Sequence, residues 1–395
     1  MKYRSITISK LETSAKEETF LLCCNRKYYR ANKLTVELLH SLQKYENEKE
    51  GISAFVEQTK GLYTYRYIEE VVKRVINPLL EGTNVKANKS FLYERKFLSA
   101  DSIDKFSCLF SFLFEKKYIY LILASVLIAD VCFFFQANNL MYFDNTINLY
   151  HFIGIFLFVF SSSFFHELGH ASACKYFGLR HGDIGFGLYL NIPVLYTDVT
   201  EIWKLKRKQR IVVNLAGIYF QSFFLLGLII GFFISSSDIL RYLILIMNFG
   251  FLMTLNPFFK FDGYWIMSDL LGILNLRDRS KELLVYIYNC IRKKSKTKSP
   301  YLLEMRKKEK WGFFIYSLLV NLFMGFYLFY VIPRFLFRFI QGFPTQIEKL
   351  NIYLSSGLTP PFALVHNLGV QLIFLILIIY FLSRSVLLIK RNVRH

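Results

Sequence analysis

Six stretches of mostly apolar residues restrict what this chain can fold into more than any other feature. They cover residues 118–135, 149–176, 211–234, 239–255, 312–332 and 368–382. About 20 apolar residues make a helix that crosses the hydrocarbon core of a bilayer, and a helix satisfies its own backbone hydrogen bonds there. With 54% hydrophobic residues over 395 positions, the chain is predicted to be an all-α polytopic membrane protein with about six transmembrane helices.

Basic residues cluster beside these stretches. Five lie between Trp203 and Arg210, and basic residues outnumber acidic ones over residues 264–311. Positive residues mark the cytosolic ends of spans, so the protein is predicted to lie in the cytoplasmic membrane with both termini in the cytosol and residues 333–366 outside. The net charge of +20 is explained by this pattern and by the anionic lipids of the bilayer, so nucleic acid is not an expected partner.

The first hundred residues mix charged and apolar positions as a small soluble domain does. Residues 20–25 are predicted to form a strand, and apolar residues then recur at helical spacing in three short segments. Residues 1–100 are therefore predicted to be a small α+β, winged-helix-like cytosolic domain. Residues 101–117 are predicted to be an interfacial segment. The transmembrane domain then covers 118–390, with a core at about 149–275 that contains the motifs described next.

A histidine pair lies within the second apolar stretch, in the sequence His166-Glu-Leu-Gly-His170. Helical residues four apart share a face, so both imidazoles can bind one Zn²⁺. Glu167 is placed to take a proton from the water that completes the site, as in H-E-x-x-H zinc hydrolases. The alternative is a polar seam between buried helices. The six cysteines contain no CxxC pair, so a zinc ribbon is not indicated.

A catalytic zinc needs a third protein ligand, and Asp262 is the best candidate. It follows Pro257, which breaks helical hydrogen bonding at the end of the fourth apolar stretch. Irregular backbone at membrane depth is tolerated where it is buried in protein or lines a polar cavity. The alternative is an ordinary Asp-Gly turn. Four residues close to the second stretch are reserve ligands: His151, His181, Asp183 and Asp198.

Residues 178–198 contain glycines and alternate roughly with period two. This pattern predicts extended chain between the second and third stretches. Such a segment could offer a strand edge to a substrate. The equally favoured alternative is an ordinary re-entrant or interfacial loop.

Three motifs together resemble the site-2 protease family of intramembrane zinc metalloproteases. They are His166-Glu-Leu-Gly-His170, Asn214-Leu-Ala-Gly217 and Asn256-Pro-Phe-Phe-Lys-Phe-Asp-Gly263. The resemblance implies that His166, His170 and Asp262 bind zinc, that Glu167 is the base, and that Asn256 helps to hold the substrate carbonyl. The run Pro193–Trp203, together with Arg210, is similar to the peptide zinc metalloprotease branch, which is often associated with peptide maturation or export. No PDZ-like insertion is evident, which favours the amino-terminal domain as the substrate reader.

Residues 28–42 and 51–56 resemble the PqqD-like recognition modules of peptide-modifying enzymes. That resemblance implies capture of a leader peptide as an added strand. The expected partners are therefore a precursor peptide or membrane-protein substrate, the lipid bilayer, and a peptide exporter or modification enzyme. A domain that only docks on the membrane part is the alternative.

The predicted function is an intramembrane zinc endopeptidase that hydrolyses a peptide bond of a membrane-associated or small precursor peptide. Two other classes of protein could use the same residues. A metal transporter would carry further acidic or histidine residues along a pathway, and this sequence has few. A catalytically silent export or immunity partner would not need the intact set of His166, Glu167, His170 and Asp262.

Overall fold

The computed structural model describes residues 2–25, 27–81, 93–137, 140, 149–189, 192–292 and 299–393. The chain divides into two compact units. One consists of Met1–Leu188 with Pro193–Phe313, and the other of Tyr189–Ile192 with Phe314–His395. The residues of the candidate site all belong to the first unit.

A three-stranded antiparallel sheet begins the first unit, with its strands in the order β1-β2-β3. The strands are β1 (Thr7–Leu11), β2 (Thr19–Cys24) and β3 (Lys27–Asn32). Four helices follow: α1 (Lys33–Lys44), α2 (Glu48–Gln58), α3 (Tyr65–Val71) and α4 (Asn77–Glu81). Asn32 caps α1, because its side-chain oxygen accepts a hydrogen bond from the Thr35 N–H at 2.9 Å. The core between sheet and helices includes the fully buried Leu39 and Val72.

The sequence predicts one strand in this region, and the structure has three. Residues 20–25 correspond to β2, whereas β1 and β3 are not predicted. Both of these edge strands are mostly exposed or half-buried, so neither has the apolar alternation that identifies a strand in a sequence. Pairing with the more buried β2 stabilises them.

Helices dominate the rest of the first unit. They are α5 (Ala100–Phe110), α6 (Lys116–Gln136), α7 (Leu149–Tyr176), α8 (Arg207–Ser235), α9 (Asp238–Thr254), α10 (Asp262–Leu271), α11 (Leu276–Ile291), α12 (Tyr301–Glu304) and α13 (Lys307–Phe326), the last of which continues into the second unit. The basic segment 264–311 forms α10 to α12 and the start of α13, except for 293–298, which lie outside the described residues.

In the second unit, α14 (Ile332–Ser355) is followed by α15 (Phe362–Val393). Residues 333–366 are predicted as an external segment after a span that ends at 332, yet helix continues through Pro333 to Ser355. A π-helical turn, Tyr327–Val331, lies directly before Pro333. Proline lacks an N–H and clashes with the carbonyl four residues earlier, and a wider turn at that point relieves the clash.

Four helical segments of the described chain are long and apolar enough to cross a membrane: Lys116–Gln136, Ile153–Tyr176, Arg207–Ser235 and Lys307–Ser355. The coarse prediction of a mostly helical protein is confirmed, with four candidate membrane-spanning helices among the described residues. The count of six stays a prediction, since α9 has only 17 residues and the apolar part of α15, Asn367–Tyr380, is shorter still. Asp130 in α6 accepts a hydrogen bond from Asn248 of α9 at 2.8 Å.

A second sheet has the order β4-β5-β6. Its strands are β4 (Tyr93–Leu98), β5 (Ile184–Tyr189) and β6 (Ile192–Thr197), and β4 pairs antiparallel with β5. The extended chain predicted for 178–198 is thus found as β5 and β6. Near the end of β6, the Thr197 hydroxyl donates a hydrogen bond to the Glu167 carbonyl at 3.1 Å, which ties this sheet to α7.

Helices α7 and α8 pack with their backbones in close approach. A Cβ at Gly169 would lie 2.4 Å from the Ala216 carbonyl oxygen. Ala171, Ala173 and Val213 beside this contact are completely buried. Small residues let two membrane helices approach in this way, and the approach brings the polar side chains of α8 to the histidines of α7.

Candidate metal centre

His166 and His170 lie on one face of α7, and their Nε2 atoms are 3.1 Å apart. His170 is 7% exposed and the side chain of His166 13% exposed. The four-residue spacing on one helix therefore gives the predicted arrangement, in which two ring nitrogens face a common point.

The other nitrogen of each ring contacts an acceptor on α8. His170 Nδ1 lies 2.7 Å from the Val213 carbonyl oxygen, and His166 Nδ1 lies 3.1 Å from Gln221 Oε1. Because these partners can only accept, each Nδ1 must carry the hydrogen, and in a neutral ring each Nε2 then presents a lone pair. In a metal-binding histidine, a hydrogen-bond acceptor at the ring nitrogen that does not bind the metal fixes the orientation and tautomer of the ring.

Asp262 begins α10 and brings its carboxylate to the same point. Its Oδ2 lies 3.0 Å from His166 Nε2 and 3.4 Å from His170 Nε2. The next residue, Gly263, packs against the end of α9 so closely that a Cβ there would lie 2.1 Å from the Leu255 carbonyl oxygen. A glycine after the aspartate is therefore required for α10 to start at this position.

The three atoms fit a zinc ion. They form a triangle with sides of 3.0, 3.1 and 3.4 Å. Tetrahedral zinc with ligands at 2.0–2.1 Å separates its ligand atoms by about 3.3 Å. Asp262 Oδ2 is buried without a hydrogen-bond donor, and both Nε2 atoms present lone pairs to it. Three electron-rich atoms facing one another are stabilised by a cation.

Glu167 follows the first histidine and is 7% exposed. Across the part of the chain that the structure describes, no ion pair or side-chain hydrogen bond of its carboxylate is found. Its backbone is held through the bond from Thr197 to its carbonyl oxygen. Among the described residues, no group therefore neutralises this carboxylate, which is adjacent in sequence to His166. A carboxylate in this state can accept a proton.

Asn256 does not join this cluster in the described structure. Its Oδ1 accepts a hydrogen bond from the Phe258 N–H at 2.8 Å, so the side chain stabilises the turn that follows α9. No hydrogen bond joins it to His166, His170 or Asp262 among the described residues. Its role towards a substrate stays a prediction.

The reserve ligands have other partners. His181 Nε2 lies 2.9 Å from the Ser107 hydroxyl, and Asp198 accepts hydrogen bonds from the backbone and hydroxyl of Thr200. Asp183 pairs with Lys96 at 2.5 Å and also accepts from the Ala100 N–H, and these bonds lower the pKa of Asp183 below its usual value. The side chain of His151 lies outside the described residues.

One face of α8 supports the site. The sequence predicts close helix contact at Asn214, Gly217 and Gln221, but it does not assign this face to the histidines. Arg210, Asn214, Gly217 and Gln221 follow one another at spacings of four, three and four residues. Gln221 contacts His166 and also donates from Nε2 to the Ser162 hydroxyl at 3.0 Å. A stripe of polar and small residues at helical period in an apolar helix predicts such a contact face, but not the partner helix that it contacts.

The other end of the stripe holds α10. Arg210 Nε donates to Asp269 Oδ1 at 2.6 Å, and Asn214 Nδ2 donates to Asp269 Oδ2 at 3.1 Å. All three residues are buried. Both carboxylate oxygens are therefore satisfied, and the helix that begins with Asp262 is fixed against α8.

The close packing of Gly217 against His166 predicts the effect of a substitution at Gly217. A Cβ at this position would lie 2.4 Å from His166 Nε2, so Gly217→Ala is expected to displace that nitrogen and to lower zinc affinity about tenfold or more. Alanine favours helix more than glycine does, so the loss would not come from a weaker helix. Gly227→Ala on the same helix is the matched control, since nothing lies within 4 Å of its Cβ. Zinc affinity in competition with a chelator checks this, and equal affinities for the two variants would contradict it.

Comparisons with known proteins give one informative similarity. A protein of Bacillus subtilis (strain 168) named "Putative peptide zinc metalloprotease protein YydH" is 32% identical to this chain over 118 residues. The match covers 29% of this chain and 46% of that protein, so the chain spans about half the length of the relative that it matches. No family model matches the chain, and no solved structure matches it.

Proposed function

We propose that this protein is an intramembrane zinc endopeptidase of the site-2 protease type. The observation that carries the proposal is the cluster of His166, His170 and Asp262, formed by two helices distant in sequence, with Glu167 beside it. The similarity to a protein named as a peptide zinc metalloprotease supports metalloprotease chemistry. The apolar helices that contain and surround the histidine pair support a location within the membrane.

His166, His170 and Asp262 would hold the zinc through Nε2, Nε2 and Oδ2. Bound there, zinc would act as a Lewis acid that polarises a peptide carbonyl and acidifies the attacking water. The residues of α8 keep the two rings in place, through Val213 and Gln221. Orientation of this kind removes the cost of reorganising the site during the reaction.

Glu167 performs the proton transfers. Its carboxylate accepts a proton from the attacking water as the water oxygen bonds to the peptide carbonyl carbon. The same carboxyl then gives that proton to the peptide nitrogen as the C–N bond breaks, so that the products are a carboxylic acid and an amine, which become a carboxylate and an ammonium by proton exchange at neutral pH. The low exposure of Glu167 limits competing exchange with bulk water.

The proposed substrate is a membrane-associated or small precursor peptide, and the amino-terminal domain is its proposed reader. A helical substrate already uses its backbone carbonyls in hydrogen bonds, so a segment must unwind before it is hydrolysed. Ease of unwinding would then contribute to specificity. We propose a location in the cytoplasmic membrane with both termini cytosolic, which the basic residues beside the spans support.

Isotope labelling tests hydrolysis directly. The purified chain in lipid vesicles is incubated with a mixture of synthetic hydrophobic peptides in H₂¹⁸O. We expect new carboxyl termini that carry ¹⁸O by mass spectrometry, loss of these products after chelation, and their return on adding zinc. Zinc binding without any cleavage would favour the catalytically silent partner, and zinc movement across the vesicle membrane without cleavage would favour the transporter.

A further inference from the structure

A short segment of the amino-terminal domain reaches the helix that carries Asp262. This strap, residues 12–16, connects β1 to the turn before β2. Ser14 is completely buried, and its N–H donates to the Gly272 carbonyl oxygen at 2.8 Å while its hydroxyl donates to the same oxygen at 3.1 Å. Gly272 ends α10, in a left-handed conformation with φ of 64°.

The strap is also fixed on its other side. The Arg306 N–H donates to the Ser14 carbonyl oxygen at 3.0 Å, and the Lys16 N–H donates to the Glu304 carbonyl oxygen at 2.9 Å. Ala15 and Met305 form an antiparallel bridge between these bonds. Ser14 therefore uses both backbone groups in contacts outside the amino-terminal domain, so the strap cannot shift without breaking them.

A second tie joins the strap to the start of α8. Glu12 Oε2 accepts a hydrogen bond from the Arg207 N–H at 3.1 Å, where a carboxylate also stabilises the positive end of the helix dipole. The Arg207 side chain donates to the Asp269 carbonyl oxygen at 2.7 Å and to the Leu270 carbonyl oxygen. The strap, the first residue of α8 and the last turn of α10 thus form one junction.

Helix α10 connects this junction to the metal centre. Asp262 and Asp269 are seven residues apart, about two helical turns, and so lie on one face. Asp269 is held by Arg210 and Asn214, and Gly263 leaves no room between α10 and the end of α9. A displacement at the carboxyl end of so short a helix moves Asp262, and metal sites tolerate only about 0.5 Å of misplacement.

We infer that the strap is a positioning element of the metal centre and that Ser14 is its positioning residue. This inference rests on the proposed zinc site. It assigns the amino-terminal domain a role beyond reading a substrate: the domain fixes α10, and through α10 it sets the distance of Asp262 from the two histidines.

The test uses zinc itself as the probe. Zinc affinity of the full-length protein in detergent is measured in competition with a chromophoric chelator, together with the visible spectrum of the Co²⁺ form. Ser14→Pro removes the N–H that binds Gly272 and is expected to weaken zinc binding 10- to 100-fold, about the range for residues that orient ligands. Lys10→Ala is the matched control, since Lys10 belongs to β1 and pairs only with Glu18 at the surface among its described contacts.

If the strap serves only stability, Ser14→Pro will lower the unfolding temperature but leave the zinc affinity and the Co²⁺ spectrum of the folded protein unchanged. That result for Ser14→Pro would overturn the inference. If Ser14→Pro does not fold, Glu12→Gln is measured instead. The weaker hydrogen bond of the uncharged side chain is expected to lower zinc affinity about fivefold. Unchanged zinc affinity in Glu12→Gln would refute the inference. Failure of the wild type to bind zinc would instead refute the proposed function.

Discussion

Asp262→Ala is expected to lower zinc affinity by more than about 100-fold, beyond the range for residues that only orient ligands, and to abolish hydrolysis. The variant removes one of three atoms that form the triangle with sides of 3.0 to 3.4 Å, and two imidazoles alone leave zinc under-coordinated. Zinc per protein by elemental analysis and cleavage of the peptide found by isotope labelling measure the two effects.

Asp101→Ala is the matched control for this variant, because Asp101 is exposed in the first turn of α5. It should keep wild-type zinc content and activity. A fully zinc-loaded and active Asp262→Ala protein would exclude Asp262 as a ligand. His170→Ala should behave as Asp262→Ala does, with His40→Ala as its control on an exposed face of α1.

Glu167→Gln is expected to retain zinc while turnover falls by about 10² to 10⁴, the usual contribution of general acid–base catalysis. The amide has nearly the same shape as the carboxylate but cannot accept the proton of the attacking water. Because no ion pair of Glu167 is found among the described residues, the change breaks no such contact. The uncut peptide should accumulate on the variant, which co-purification detects.

The control is Glu57→Gln, which makes the same chemical change at an exposed position of α2. It should leave both zinc content and turnover at wild-type values. A Glu167→Gln protein with full turnover would remove Glu167 from the mechanism. A Glu167→Gln protein without zinc would make it a ligand instead of a base.

The cluster of His166, His170 and Asp262 could be predicted because its information is local. His166 and His170 share a helix face by their spacing alone, and Asp262 follows a proline-induced break at the end of an apolar stretch. Asn256 was predicted at the site from resemblance rather than from such geometry, and in the structure its side chain stabilises the local turn. The motif therefore predicted the position of Asn256 in the chain but not the contact that its side chain makes.

The contacts that the polar residues of α8 make with the site could not be predicted in the same way. Arg210, Asn214 and Gln221 are single polar residues in an apolar helix, and their partners Asp269 and His166 lie more than 40 residues away. Periodicity identifies the face on which they lie, but nothing in the sequence pairs that face with a particular helix. The contact from Ser14 to Gly272 spans 258 residues and has no local signal.

Fold predictions were incomplete where tertiary contacts override local preference. Strands β1 and β3 carry too few buried residues to be recognised and depend on pairing with β2. Pro333 is a sound signal for the end of a helix in general. Here a π-helical turn directly before it lets the helix continue, and a sequence does not reveal such a turn.

Zinc X-ray absorption spectroscopy of the wild-type protein in lipid vesicles tests the central claim most directly. The geometry of His166, His170 and Asp262 predicts one zinc per chain with nitrogen and oxygen neighbours only, at about 2.0–2.1 Å, and with the scattering pattern of two imidazole rings. His170→Ala should lose most of this zinc, and the variant loaded with excess zinc should show one imidazole instead of two. A shell of sulfur at about 2.3 Å, which thiolate ligands would give, or a spectrum unchanged by His170→Ala would contradict the account.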